Sequence, residues 1–263
     1  MSESTQVLRW PLPVHDPADQ PHFLFLITPP YSGSTAMAKL LDTSPQTMTF
    51  GARGEGQWLI PGLCEHDRWD RNKEVDYQSV KAVWLNTYQK RKNDQPEIDV
   101  VVEKSPPNMV RISSLASQFN RVSFLANNRN PYAHCASLFF RRYQSTRRDP
   151  SSQRTVFTEL ARNWIVRSQI VMDAISTLSV PLMTYESFCE DAARILTLLN
   201  LPEGVASTID VNAEVSVKDY KAQKIVNQNE RQIAKLSTEQ IKVISSVIEP
   251  HDIIINFFGY SLQ

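Results

Sequence analysis

Short apolar runs alternate along the chain with segments in which apolar residues recur every three or four positions. The runs at 23–27, 47–50, 98–102, 122–126 and 180–184 are bounded by turn residues and read as five buried strands. Between them the spacing predicts helices. One carries Ala36, Met37, Leu40 and Leu41; the next covers 74–92, with Val75, Val80, Val83, Trp84 and Tyr88 on its apolar stripe. Others run through Val110, Ile112, Leu115 and Phe119, from Pro131 to about Tyr143, over 155–178, and from Tyr185 through Leu199. Residues 200–235 are polar and carry no clear period. A last helix is expected over 237–248, before the apolar tail IIINFFGY. The strands are too apolar for one exposed face, and no hairpin signal joins them. That combination predicts an α/β fold: a central parallel sheet flanked by helices.

With 263 residues and 41% hydrophobic content, the chain is long enough for one sizeable core. A single domain over 1–263 is expected, with 1–20 as an irregular, proline-rich lead-in. Zero net charge and a pI near 7.0 argue against bulk attraction to nucleic acid or to an anionic membrane. No apolar run approaches the roughly 20 residues that span a bilayer, and the first residues lack the layout of a secretory signal. Three dispersed cysteines, Cys64, Cys135 and Cys189, fit neither a disulfide framework nor a metal site. A reducing cytoplasm is the expected setting.

In a parallel sheet, ligands bind beyond the carboxyl ends of the strands. Four polar clusters fall there: Ser32 to Thr35, Glu103–Lys104, Arg129 and Tyr185–Glu186. In the first, a strand runs through Tyr31-Ser32-Gly33-Ser34-Thr35 into a helix. Free N–H groups and the positive end of the helix dipole then suit a phosphate, although an ordinary strand–helix corner has the same outline. Arg129 precedes Asn130, a capping residue, and Pro131, suited to the first helical position. His134, Ser137 and Arg141 follow at i, i+3 and i+7 on one face, which also fits a surface arginine beside a polar helix face. Four of the seven glycines lie from Gly51 to Gly62, around Arg53, Glu55, Gln57 and Trp58, as in a site-lining loop. A Walker loop is absent: Gly33 stands alone and no lysine follows it.

These residues resemble the sulfotransferases that use 3′-phosphoadenosine 5′-phosphosulfate (PAPS). Pro30-Tyr31-Ser32-Gly33-Ser34-Thr35 is similar to their phosphosulfate loop, P-[RK]-S-G-[ST]-T, and Leu40 to Pro45 to the stretch that follows it. Arg129-Asn130-Pro131 with Ser137 resembles the 3′-phosphate site. Glu103-Lys104-Ser105-Pro106 and Tyr185-Glu186-Ser187-Phe188 resemble two further elements, all in the family's order. The branch that includes the protein-tyrosine sulfotransferases is nearest, and its catalytic glutamate falls on Glu55.

The resemblance implies a P-loop-kinase-like nucleotide-binding fold with no metal. It implies phosphosulfate contacts from Tyr31, Ser32, Gly33, Ser34 and Thr35, and 3′-phosphate contacts from Arg129 and Ser137, with Arg141 nearby. Lys104 would stabilise charge and Glu55 would act as base, with His66 and His134 as other bases. Lys218, or Lys221 or Lys224, would lie in a segment closing over PAPS or its product PAP. The acceptor hydroxyl would come from a small molecule, a carbohydrate or a peptide. Trp58, Trp69 and Phe139 would line its pocket or join the core. The basic stretch Arg141, Arg142, Arg147, Arg148 and Arg154 would be a solvated face, or would draw in PAPS or an acidic acceptor. One residue departs from the pattern: Tyr31 stands where the family carries arginine or lysine. Two other functions therefore stay open, a noncatalytic PAPS or PAP binder and a metal-dependent phosphotransferase.

Overall fold

Six consecutive buried residues form β1 (His22–Ile27), an interior strand with neighbours on both sides in the structure, a computed structural model. Residues 20–51, 53–145, 149–217 and 221–263 are described. β2 (Thr47–Thr49), β3 (Val100–Glu103) and β4 (Val122–Ala126) complete a parallel sheet in the order β2-β3-β1-β4. Alternate side chains enter different cores. Phe23, Phe25, Ile27 and Val101 join one apolar cluster, while Leu24, Leu26, Val100 and Val102 join the other. Both faces are thus covered, as the unbroken apolar strands require.

Helices α1 (Ser34–Leu41), α2 (Tyr77–Asp94), α3 (Ile112–Gln118), α4 (Pro131–Arg142) and α5 (Pro150–Leu178) follow in chain order. After them come α6 (Tyr185–Glu190), α7 (Arg194–Leu198), α8 (Val205–Thr208), α9 (Asn229–Ile233), α10 (Thr238–Ile248) and α11 (Asp252–Phe257). The larger layer, with α2, α3, α4, α5, α10 and α11, packs around Trp84, Phe157, Trp164 and Ile244. The smaller one seats Met37, Leu40 and Leu41 of α1 and Phe188 of α6. Fully burying each such side chain is worth roughly 1.5–3 kcal/mol. Among the described residues no helix is long and apolar enough to cross a membrane.

Several boundaries differ from expectation for local reasons. The fifth strand shrinks to a single bridge, Leu182 with Ala126. Pro181 has no N–H to give; its carbonyl accepts from Ala126 N (2.8 Å) and Met183 N donates back to Ala126 O (2.9 Å). Helix α2 starts at Tyr77 because Asp76 caps it, accepting from Gln78 N and Ser79 N. Helix α5 starts at Pro150, with Asp149 as its cap. The helix expected from Tyr185 through Leu199 divides at Asp191, whose backbone is extended. The apolar tail contains α11, with Ile254 and Ile255 in the larger core.

Candidate active site

All four polar clusters lie at the carboxyl edge of the sheet, because β3, β1, β4 and the Leu182 bridge run side by side in one direction. After β1 the chain turns through two left-handed residues, Tyr31 (φ 67°) and Gly33 (φ 92°). Gly33 precedes α1 and offers no side-chain cap, and its carbonyl takes the N–H groups of Ala36 (2.9 Å) and Met37 (3.2 Å). The backbone N–H groups of Ser34 and Thr35 find no acceptor among the described residues. They are the orphan donors that a helix start presents to an anion. Gly33 also lies flat against Tyr185, where a Cβ would come within 2.4 Å of the ring. Ser32 is fully buried, its Oγ 3.5 Å from His134 Nδ1.

Beyond β4, Asn130 accepts from Tyr132 N and Ala133 N and starts α4 at Pro131, as the sequence predicts. Arg129, 5% exposed, stacks 4.1 Å from the Tyr185 ring centre. Its Nε donates to Asn229 Oδ1 (2.8 Å) and its Nη1 to the carbonyl of Tyr31 (3.0 Å). Its Nη2 is buried with no partner among the described residues. Burial pulls the guanidinium pKa down, although Tyr185 and Glu186 favour the charge. Glu186 braces the group: it accepts from Asn130 N (2.9 Å), Asn229 Nδ2 (2.5 Å) and Tyr260 OH (3.1 Å). Ser137 is half-buried one turn beyond His134, and Arg141 is exposed at the end of α4.

Glu55 and Lys104 meet directly, Oε1 to Nζ at 3.1 Å. Glu55 Oε2 accepts from Gln57 Nε2 (2.6 Å) and Trp58 Nε1 (2.9 Å). Burial raises its pKa, but the Lys104 charge and the hydrogen bonds of Lys104, Gln57 and Trp58 outweigh that and hold it below the ordinary value. Gly54 (φ 69°) lies over the lysine stem, and its carbonyl accepts from Lys104 N (3.2 Å). The fully buried Glu103 pins this loop to β3. It accepts from Gly56 N (2.6 Å), Ser105 N (2.7 Å), Asn108 Nδ2 (2.7 Å) and the Ser105 hydroxyl. Burial nevertheless pushes Glu103 up to about 7, against those hydrogen bonds and Lys104.

The remaining candidates divide. His134 is fully buried, and desolvation with the charges of Arg167 and Arg129 holds its pKa well below the ordinary value, so it is neutral. His66 is exposed. Phe139 belongs to the core, 4.5 Å from Phe157 between ring centres. Trp58 is 48% exposed beneath Arg53 (5.1 Å), whereas Trp69 is half-buried beneath Arg167 (4.6 Å). Within the basic stretch Arg154 pairs with Glu239 (3.6 Å). Arg142 Nε donates to Tyr31 OH (2.8 Å). Arg147, Arg148 and Lys218 lie outside the described residues, and Lys221 and Lys224 are exposed. Sequence reasoning missed Asn229, which joins Arg129 to Glu186 from a segment without period, and the structural task of Glu103. Their partners at 100 and 47 positions' remove left no local signal.

The sequence matches no protein-family model and no curated protein. Solved structures share the fold. The sulfotransferase domain from the curacin biosynthetic pathway aligns with TM-score 0.51 at 16% identity, over 92% of this chain and 99% of its own. A sulfotransferase from Alicyclobacillus acidocaldarius gives 0.54 at 11%, over 92% and 97%. The sulfotransferase domain of a Synechococcus olefin synthase gives 0.52 at 16%, over 97% and 100%. At these identities the likeness is one of architecture, the P-loop-like α/β fold.

Proposed function

We propose that the chain is a sulfotransferase that moves a sulfuryl group from PAPS to an acceptor hydroxyl. The observation that carries this reading is Arg129. A buried guanidinium keeps Nη2 without an acceptor among the described residues while Nη1 grips the phosphate-loop carbonyl of Tyr31. Leaving such a donor unmet costs roughly 1–3 kcal/mol, which a phosphate oxygen recovers. The nucleotide supplies the activated sulfuryl group and a phosphate leaving group. The chain's own residues supply position and charge.

Ser32, Gly33, Ser34 and Thr35 hold the 5′ end through backbone N–H groups and the α1 dipole. Arg129 and Ser137 hold the 3′-phosphate, a remote handle that orients the reacting end. Glu55 takes the proton of the acceptor hydroxyl. The acceptor oxygen bonds to sulfur as the bond from sulfur to the phosphate oxygen breaks, and PAP leaves. Lys104 and the loop amides meet the charge that builds on the leaving oxygen and the sulfuryl oxygens. The Glu55–Lys104 pair gives the site a built-in exchange. An anion draws Lys104 away, and Glu55 loses its strongest counter-charge as a base is needed. Arg142, docked on the Tyr31 hydroxyl, brings to the loop a cation that the loop's own side chains lack. With Glu55 as a carboxylate base, the proposed reading follows the manner of the tyrosine-sulfotransferase branch.

A noncatalytic PAP-binding protein is the second reading, favoured by Tyr31 and by the three donors that restrain Glu55. A metal-dependent phosphotransferase is disfavoured, because Glu103 spends both oxygens on four donors. Titration calorimetry with PAP, with and without magnesium, tests the site. Magnesium-independent binding is expected, and no PAP binding overturns it. Mass-spectrometric detection of a sulfated acceptor then separates enzyme from binder.

A further inference from the structure

Three arginines gather beside the phosphate loop with no acid to pair them among the described residues. Among the described residues Arg68, Arg142 and Arg167 form no ion pair. Arg167, half-buried on α5, stacks 4.6 Å from Trp69 and has no hydrogen-bond acceptor among the described residues. Arg68, next to that tryptophan in sequence, spends one long bond on Cys64 O (3.4 Å). Arg142 spends its Nε on Tyr31 OH. Arg68 adjoins the Trp69 that Arg167 covers. Burial and the charge of Arg68, then that of Arg142, push Arg167 down to about 10, with Tyr143 opposing, so Arg167 senses both other charges. Of the acids near Arg68 in sequence, Glu65 and Asp67 both face Lys73, and Asp70 accepts the N–H of Asn72. In a chain of zero net charge this concentration is local. Like charges held together, with Arg68 and Arg167 half-buried and Arg142 exposed, call for an anion, and guanidinium forks match oxyanions.

Arg68 and Arg167 are not among the proposed nucleotide contacts, whereas Arg142 already touches the phosphate loop through Tyr31. Arg68 and Trp69 belong to the segment that follows Glu55. Cys64 Sγ donates to Gln57 O (3.0 Å), and Gln57 Nε2 donates to Glu55. Arg142 ties the other side to Tyr31. Hydrogen bonds thus connect the cluster's surroundings to the candidate base on one side and to the loop on the other, the two features an acceptor must reach.

Resting on the sulfotransferase reading, we propose that Arg68, Arg142 and Arg167, over Trp69, form a subsite for an acidic group on the acceptor. The acceptor is then an alcohol or phenol that also carries an oxyanion such as a carboxylate.

The test compares 4-hydroxyphenylacetate and glucuronate with their own amides, binding to PAP-saturated protein by calorimetry. Each acid should bind about tenfold or more tightly than its amide. Arg68→Gln/Arg167→Gln should bring the ratio near one, and Arg68→Lys/Arg167→Lys should keep part of it, with PAP affinity within about twofold in both. If the double glutamine variant does not fold, Arg68→Gln alone should lower the ratio. Equal binding of acid and amide by the wild type overturns the subsite while leaving the nucleotide site standing. A ratio that survives the glutamine variants overturns it too, as does a selective loss of PAP affinity in them, which would assign these arginines to the nucleotide. Absence of PAP binding by the wild type instead removes the underlying reading, and the subsite with it.

Discussion

Lys104 and Glu55 neutralise each other across 3.1 Å in a nearly dry corner, with the lysine side chain 4% and the carboxylate 17% exposed. Either partner alone would be a costly charge there. The pair is stable until a third charge arrives, and its behaviour toward acid follows.

Glu55 has a depressed pKa, so it remains a carboxylate below the ordinary value of 4.5. The stability it contributes is present above pH 4.5 and lost as pH falls through the lower folded value. The acid limb of kcat/KM, which reports the free enzyme, should lie below pH 4.5. Lys104→Met should move that limb to higher pH. Glu55→Gln should cut kcat by about 100-fold or more while PAP affinity holds. Full turnover in that variant would assign the base elsewhere.

Glu103 runs the opposite way. With its pKa raised to about 7, its stabilising contribution is full below pH 4.5 and lost as pH rises through 7. Urea midpoints between pH 5 and pH 8 should fall toward the alkaline side. Glu103→Gln should flatten that trend yet lower stability by about 1–3 kcal/mol, since an amide cannot accept from all four donors. An unchanged slope would rule Glu103 out as its source.

Arg129→Ala should weaken PAP by tenfold or more, the worth of a charge-assisted hydrogen bond. The analogue lacking the 3′-phosphate should lose much less. Equal losses for the two ligands would refute the 3′-phosphate role.

Gly33→Ala combines a left-handed backbone, costing about 1–2 kcal/mol for a residue with a Cβ, with a methyl 2.4 Å from the Tyr185 ring. That ring carries Arg129. The variant should melt at least about 3 °C lower and lose most PAP affinity. Wild-type melting and binding would refute the close fit.

Much of this architecture is legible in local pattern. β1, the turn into α1 and the Asn130–Pro131 start of α4 each announce themselves through neighbouring residues, and the structure keeps them. The early start of α5 was hidden because Asp149 and Pro150 sit in a run read as basic loop, although together they form an N-terminal cap. The fifth strand failed on one proline. Candidate-site residues were legible as types at strand ends, but their couplings were not. Asn229 lies in a polar segment with no period, and Glu103 reads as a strand's last residue until Gly56, Ser105 and Asn108 close around it. The three arginines converge from α4, α5 and the segment before α2, so no stretch of sequence shows them together.

The bond from Arg129 Nη1 to the Tyr31 carbonyl has a consequence for how the two ends of a nucleotide communicate. The arginine that would meet one phosphate is also a strut of the loop that would meet the other. On the proposed reading, a ligand that fills only the 3′ end already bears part of the cost of ordering the 5′ loop. By thermodynamic linkage a ligand at the 5′ end assists the 3′ end by the same factor. The two halves of the nucleotide should therefore bind more weakly apart than the whole implies, with the shortfall residing in a single guanidinium.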